Sequence, residues 1–92
     1  MRESRIEKYL RQQCREAGYE CLKFKSPGRR AVFDRVVRLP QGKTLWIEVK
    51  RPGKRLTQAQ QREQLRLEDL GHRAEWVNSI KTVDWLVEKF LC

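Results

Sequence analysis

Two apolar runs, Val32 to Leu39 and Thr44 to Lys50, meet at Pro40-Gln41-Gly42, and this junction constrains the fold more than any other part of the chain. Both runs are rich in Val, Leu, Ile, Phe and Trp and read as the two strands of one hairpin. Pro40 suits the first corner of a type I turn, and Gly42 suits the left-handed residue that closes a three-residue loop. Such a loop pairs Leu39 with Lys43, and counting outward pairs Val36 with Trp46 and Asp34 with Glu48. Lys50, two residues beyond Glu48, shares their face. A register different by one residue would send the two acids to opposite faces, so the loop length decides whether they meet.

Two carboxylates directly across a strand pair, with Cβ atoms about 4.5–5.5 Å apart, repel each other and weaken the sheet. A divalent cation removes that penalty. Mg²⁺ and Mn²⁺ take oxygen ligands and are commonly held by one or two carboxylates, with water and substrate phosphate completing the shell. The structural alternative is that Asp34 pairs with Arg35 or Arg38 and Glu48 with Lys50 on a merely solvated face.

The charge around the two acids bears on that choice. A formal net charge of +9 on 92 residues makes a polyanion the first partner to consider. Lys23, Lys25, Arg29, Arg30, Arg35, Arg38, Lys43, Lys50, Arg51, Lys54 and Arg55 crowd the middle of the chain, where Asp34 and Glu48 are nearly the only acids. A surface that only binds phosphate has no use for paired carboxylates inside its basic field.

Residues 1–92 are expected to form one small domain, with no linker or repeat and a modest core that a dimer interface would supplement. No run of about 18 apolar residues is present, so neither a membrane span nor a secretory signal is expected. Three cysteines without C-x-x-C spacing point to reduced thiols and a cytoplasmic setting. Cys14 and Cys21 suit small core positions. His72, the single histidine, leaves no zinc cluster to assemble.

Along the chain, Ile6, Tyr9, Leu10, Cys14 and Ala17 recur at helical spacing over Arg2 to Ala17, and Gly18 ends the pattern. Glu7 falls at the edge of that apolar stripe, where it either points toward the sheet or serves the helix dipole. Tyr19 to Phe24 reads as a short strand, followed by a basic loop, Ser26-Pro27-Gly28-Arg29-Arg30, and the hairpin. Arg51-Pro52-Gly53-Lys54-Arg55 is a second basic loop. Thr57-x-x-Gln60 satisfies a capping box opening a helix to Leu70. Arg73 to Val77 is the fourth strand, and Ser79 caps a final helix. The expected fold class is α/β, a small mixed β-sheet flanked by helices in the order α-β-β-β-α-β-α.

Asp34, Glu48-Val49-Lys50 and this element order resemble the PD-(D/E)xK nuclease superfamily, and more narrowly a stand-alone VRR-Nuc domain, the virus-type replication and repair nuclease module. The resemblance runs from Glu7 through Trp76 and includes Val49-Lys50-Arg51-Pro52-Gly53 and Leu56-Thr57-Gln58-Ala59-Gln60. It implies that Asp34, Glu48 and the backbone carbonyl of Val49 ligate Mg²⁺ or Mn²⁺, with Glu7 nearby directly or through water. Lys50 would orient or deprotonate the attacking water, and Gln60 would lie close to Lys50 and the scissile phosphate, a role that competes with its capping. One departure is visible: the Gly-x-Pro-Asp run common in the family is Ala31-Val32-Phe33-Asp34 here.

The resemblance further implies a homodimeric, metal-dependent, structure-specific DNA endonuclease cutting four-way (Holliday) junctions in the cytoplasm of a bacterium or of a phage's host. A flap, splayed-arm or general nuclease is the alternative within the enzyme class. A catalytically inactive DNA-binding module is the alternative outside it. Lys23, Lys25, Arg29, Arg30, Arg35, Arg51, Lys54 and Arg55 are the expected DNA contacts, directed mainly at phosphates. Trp76, Trp85, Leu86, Phe90 and Leu91 are the expected dimer surface.

Overall fold

In the computed structural model, which describes residues 2–92, the Leu39 N–H donates to the Lys43 carbonyl at 2.8 Å and closes the hairpin loop at three residues. The turn differs from expectation in one respect. Gln41 (φ 66°) adopts the left-handed conformation as well as Gly42 (φ 73°), so two successive residues bend the chain after Pro40. The register is unaffected: β2 (Arg35–Arg38) pairs with β3 (Thr44–Val49), with Val36 opposite Trp46 and Arg35 opposite Ile47. One step further out stand Asp34 and Glu48.

Around this hairpin the described residues form α1 (Glu3–Glu16), β1 (Cys21–Lys23), then β2 and β3, α2 (Gln58–Asp69), β4 (Arg73–Val77) and α3 (Ile80–Phe90). The sheet order is β1-β2-β3-β4, antiparallel except for β3 and β4, which run parallel with α2 as the crossover. This is the mixed α/β sheet expected from the sequence.

Side chains alternate across β3, and each face of the sheet has its own core. Leu45, Ile47 and Val49 pack with Ile6, Leu10 and Cys14 of α1 and Val83 and Leu86 of α3. On the opposite side Trp46 and Trp76 pack against Phe33, Leu56, Ala74 and Leu67 of α2. Glu48 belongs to this second face, beneath the start of α2.

Of the two positions that depart from the motif, one is explained by packing and the other is strained. Phe33 is 1% exposed and fills the α2-side core, a role a proline ring is too small to fill. Ala31 holds φ 63°, the left-handed region where a Cβ is unfavourable. The strand expected from Val32 is correspondingly short, because regular pairing begins only at Arg35.

The C-terminal residues expected to form a dimer surface are divided differently. Leu86 (0% exposed) and Leu91 (5%) are consumed by the chain's own core, and Trp76 is half-buried against the α2-side cluster. Trp85, at 47%, is the exposed one, with Lys89 packed 4.8 Å over its ring.

Candidate active site

Glu48 enters the site from β3 with one oxygen satisfied and one not. Its Oε2 accepts from the Gln60 amide Nε2 at 3.2 Å, whereas its Oε1 is buried without a hydrogen-bond partner. Burial first, and the neighbouring Asp34 second, push the Glu48 carboxyl up to about 7, with Lys50 and the Asp34 backbone amide opposing the rise. A carboxylate raised in this way by desolvation and a like charge marks a group that gains from a cation.

Gln60 occupies the first turn of α2 and connects three groups. Its side-chain Oε1 accepts from the Thr57 backbone N–H at 3.0 Å and from Lys50 Nζ at 3.2 Å. Its own N–H donates to Thr57 Oγ1 at 3.1 Å, completing the capping box. The capping reading and the site reading of Gln60 therefore coexist. The cap fixes the amide, and the fixed amide orients Glu48 and Lys50.

Asp34 lies one residue before β2, where its carbonyl accepts from the Phe24 N–H at 2.8 Å. Its carboxylate pairs with Lys23 Nζ at 3.1 Å, and the same ammonium lies 3.8 Å from Glu7 Oε1. Neither Arg35 nor Arg38 takes Asp34 as partner among the described residues: Arg38 pairs with Glu20 at 3.6 Å. Lys23 as the bridge was not foreseen, although its position opposite Arg35, beside Asp34, holds the clue.

One expected role is corrected. Arg35 is 8% exposed, and its guanidinium donates to Glu7 Oε1 and to the Cys21 carbonyl, so it is an internal tie between α1 and the sheet and not a DNA contact. Glu7, expected near the metal directly or through water, has its Oε1 engaged by Arg35 and by Lys23, the lysine that also pairs with Asp34. Burial of this pair is the reason: an unpaired guanidinium inside the fold would cost several kcal/mol.

The residues fit a divalent cation as a substrate-completed site. Glu48 Oε1 is an orphaned buried acceptor facing Asp34, and Val49 ends β3 beside them. No cluster of three or more His, Cys, Asp or Glu side chains converges among the described residues. The remaining ligands would be the Val49 carbonyl, water and phosphate, the partial shell that Mg²⁺ ordinarily accepts.

The two basic loops flank this site. Arg51, Lys54 and Arg55 are exposed on the turn closed by the Lys54 N–H to Arg51 carbonyl bond (3.1 Å), anchored where Asn78 Nδ2 donates to the Lys54 carbonyl. Lys23, Lys25, Arg29 and Arg30 are exposed on the other side. Arg29 is held by Glu63 of α2, a buried acid that sequence reasoning passed over although Arg66, three residues on, shares it.

No protein-family model matches the chain. It is 49% identical over 73 residues to "Putative nuclease p44" of Acyrthosiphon pisum secondary endosymbiont phage 1, a match covering 79% of this chain and 78% of that protein. Its fold agrees with a solved structure described as a VRR_NUC domain, with a TM-score of 0.86 and 31% identity over 96% of both chains.

Proposed function

Because the chain belongs to the VRR_NUC family, we propose that it is a Mg²⁺- or Mn²⁺-dependent, structure-specific DNA endonuclease, working as a homodimeric four-way junction resolvase in the cytoplasm of a bacterium or phage host. The carrying observation is the Glu48 carboxylate: raised to about 7, half-orphaned, facing Asp34, and wired through Gln60 to Lys50. Glu48 is partly buried beside Asp34, and a cation shared by the two carboxylates would relieve both its desolvation and their repulsion.

In this reading Asp34, Glu48 and the Val49 carbonyl hold the metal. When bound, the metal supplies a water of lowered pKa and charge neutralisation at the phosphate oxygens. Lys50 would orient an attacking water toward the phosphorus, while Gln60 keeps Lys50 and Glu48 aligned. Lys23, now shared between Asp34 and Glu7, turns to the phosphate when the carboxylates are engaged. The loop cations Lys25, Arg29, Arg30, Arg51, Lys54 and Arg55 bind backbone phosphates, giving recognition by shape and charge.

A symmetric dimer presents two such sites to the two strands that junction resolution must cut. The edge at β4 and the exposed Trp85 are two of the surfaces open to it. A monomeric flap or general nuclease is the second reading, favoured by the burial of Leu86 and Leu91 in the chain's own core. Sedimentation at micromolar concentration, paired with cleavage rates on a four-way junction and a linear duplex of the same sequence, separates the two. A dimer preferring the junction supports the resolvase; a monomer cutting both equally supports the general nuclease.

A further inference from the structure

On the α2-side face, which also carries Glu48, lies an aromatic pocket that the cleavage chemistry does not use. Its volume is about 210 Å³, and Phe24, Phe33, Trp46, Leu67 and Leu70 wall it, with Arg29 among the residues at its edge. A second, more open depression shares Phe24, Val32 and Arg29 with it and reaches Lys23 and Asp34. The two depressions adjoin at these shared residues, and the second brings Asp34 to its rim.

Several features set this groove apart from a patch of imperfect core. Phe24 is 36% exposed yet packed edge-on to Trp46, with centroids 5.0 Å apart and planes at 89°. Trp46 Nε1 is buried with no hydrogen-bond partner. It and Glu48 Oε1 are the two such side-chain atoms among the described residues, two positions apart on the same face of β3. At the edge, Glu63 (6% exposed) accepts from Arg29 Nη2 at 2.5 Å and from Arg66 Nε at 3.1 Å, so one buried carboxylate holds two half-exposed guanidiniums in place.

We propose that this pocket receives an unstacked nucleobase of the strand whose phosphate lies at Asp34 and Glu48. The inference rests on the nuclease reading and deepens it by naming what the enzyme selects. A base offers a planar ring to stack on the half-exposed Phe24, and its flanking phosphates suit Arg29, Arg66 and Lys25. A base inside an intact duplex cannot reach such a pocket without losing its stacking, so a strand already unpaired near the cut is favoured. Structure specificity then arises on the protein without any reading of sequence.

The test uses binding in EDTA, where no cleavage intervenes. Affinities are compared for an oligothymidylate and for an abasic strand of the same length, at one fixed salt concentration, with wild type, Phe24→Ala and Phe24→Trp. Wild type is expected to prefer the base-bearing strand by about 5- to 160-fold, the range of one base stacked on an aromatic side chain. Phe24→Ala should erase that preference while leaving abasic binding unchanged, and Phe24→Trp should restore it. Equal affinity of wild type for both strands, or a Phe24→Ala loss shared equally by both, overturns the pocket. Metal-dependent cleavage by wild type is measured separately. Base preference without cleavage would sink the nuclease reading alone, and cleavage without base preference would sink the pocket alone.

Discussion

The Gln60 amide spans Lys50 and Glu48: its oxygen accepts from the lysine and its nitrogen donates to the carboxylate, each at 3.2 Å. The same oxygen caps α2 through the Thr57 backbone amide. Helix capping and site alignment are thus the work of one side chain, and two substitutions separate them.

Gln60→Ala removes both roles and is predicted to lower stability by about 0.5–2 kcal/mol, the usual value of a cap, together with the cleavage rate. Gln60→Glu keeps a side chain that completes the capping box but replaces the donor facing Glu48 with a second negative charge. Below pH 7, where Glu48 keeps its proton and can donate it to the new carboxylate, the melting temperature should stay near that of wild type while the rate falls. Normal turnover at low temperature in both variants would reduce Gln60 to a cap.

The raised Glu48 carboxyl predicts the pH response of the metal-free protein. Its folded pKa, about 7 against an ordinary 4.5, means the native state keeps a proton that the unfolded chain releases between those values. The stability contribution of Glu48 is therefore full below pH 4.5 and is lost as pH rises through about 7. Melting in EDTA should decline across that window, and Glu48→Gln should flatten the decline. Metal binding needs the ionised carboxylate, so calorimetric titration with Mg²⁺ should release more protons at pH 6 than at pH 8. An equally steep decline in Glu48→Gln would assign the slope to another group.

Ala31→Gly is predicted to stabilise the fold by about 0.5–1 kcal/mol, because the φ of 63° strains an alanine more than glycine's extra unfolded entropy costs. Denaturant unfolding measures it directly. An unchanged or lower midpoint would mean the Ser26 to Val32 loop relaxes away from that conformation in solution.

How far the sequence foretold the structure is visible in particular residues. The hairpin register followed from Pro40-Gln41-Gly42 because turn length and strand period are local properties, and with it came the approach of Asp34 to Glu48. The α2 cap was equally legible from Thr57 and Gln60. The partners of Glu7, Arg35 and Lys23 were not, since which cation meets which acid depends on how α1 lies across β1 and β2. Glu63 with Arg29, and Phe24 against Trp46, likewise join segments far apart in the chain. Leu86 and Leu91 show the same limit, because an apolar position near the terminus does not itself say whether it faces the chain's own core or a partner.

Charge reversal at Arg51, Lys54 and Arg55 should weaken binding to linear, flapped and branched DNA alike, since these exposed loop cations engage phosphates. The slope of log affinity against log salt should become shallower by up to about 0.9 for each duplex phosphate that the variant no longer neutralises. An unchanged slope would move the DNA path to Lys23, Lys25, Arg29 and Arg30.

The most direct measurement is cleavage of a labelled four-way junction with Mg²⁺ by wild type, Glu48→Gln and Asp34→Asn, alongside binding of the same DNA in EDTA. The metal-site assignment predicts metal-dependent cleavage by wild type alone, with EDTA binding by both variants intact or tighter, because removing negative charge from a basic field does not weaken phosphate binding. Retained metal-dependent cleavage in both purified variants would contradict the assignment of Asp34 and Glu48 as the metal-holding pair.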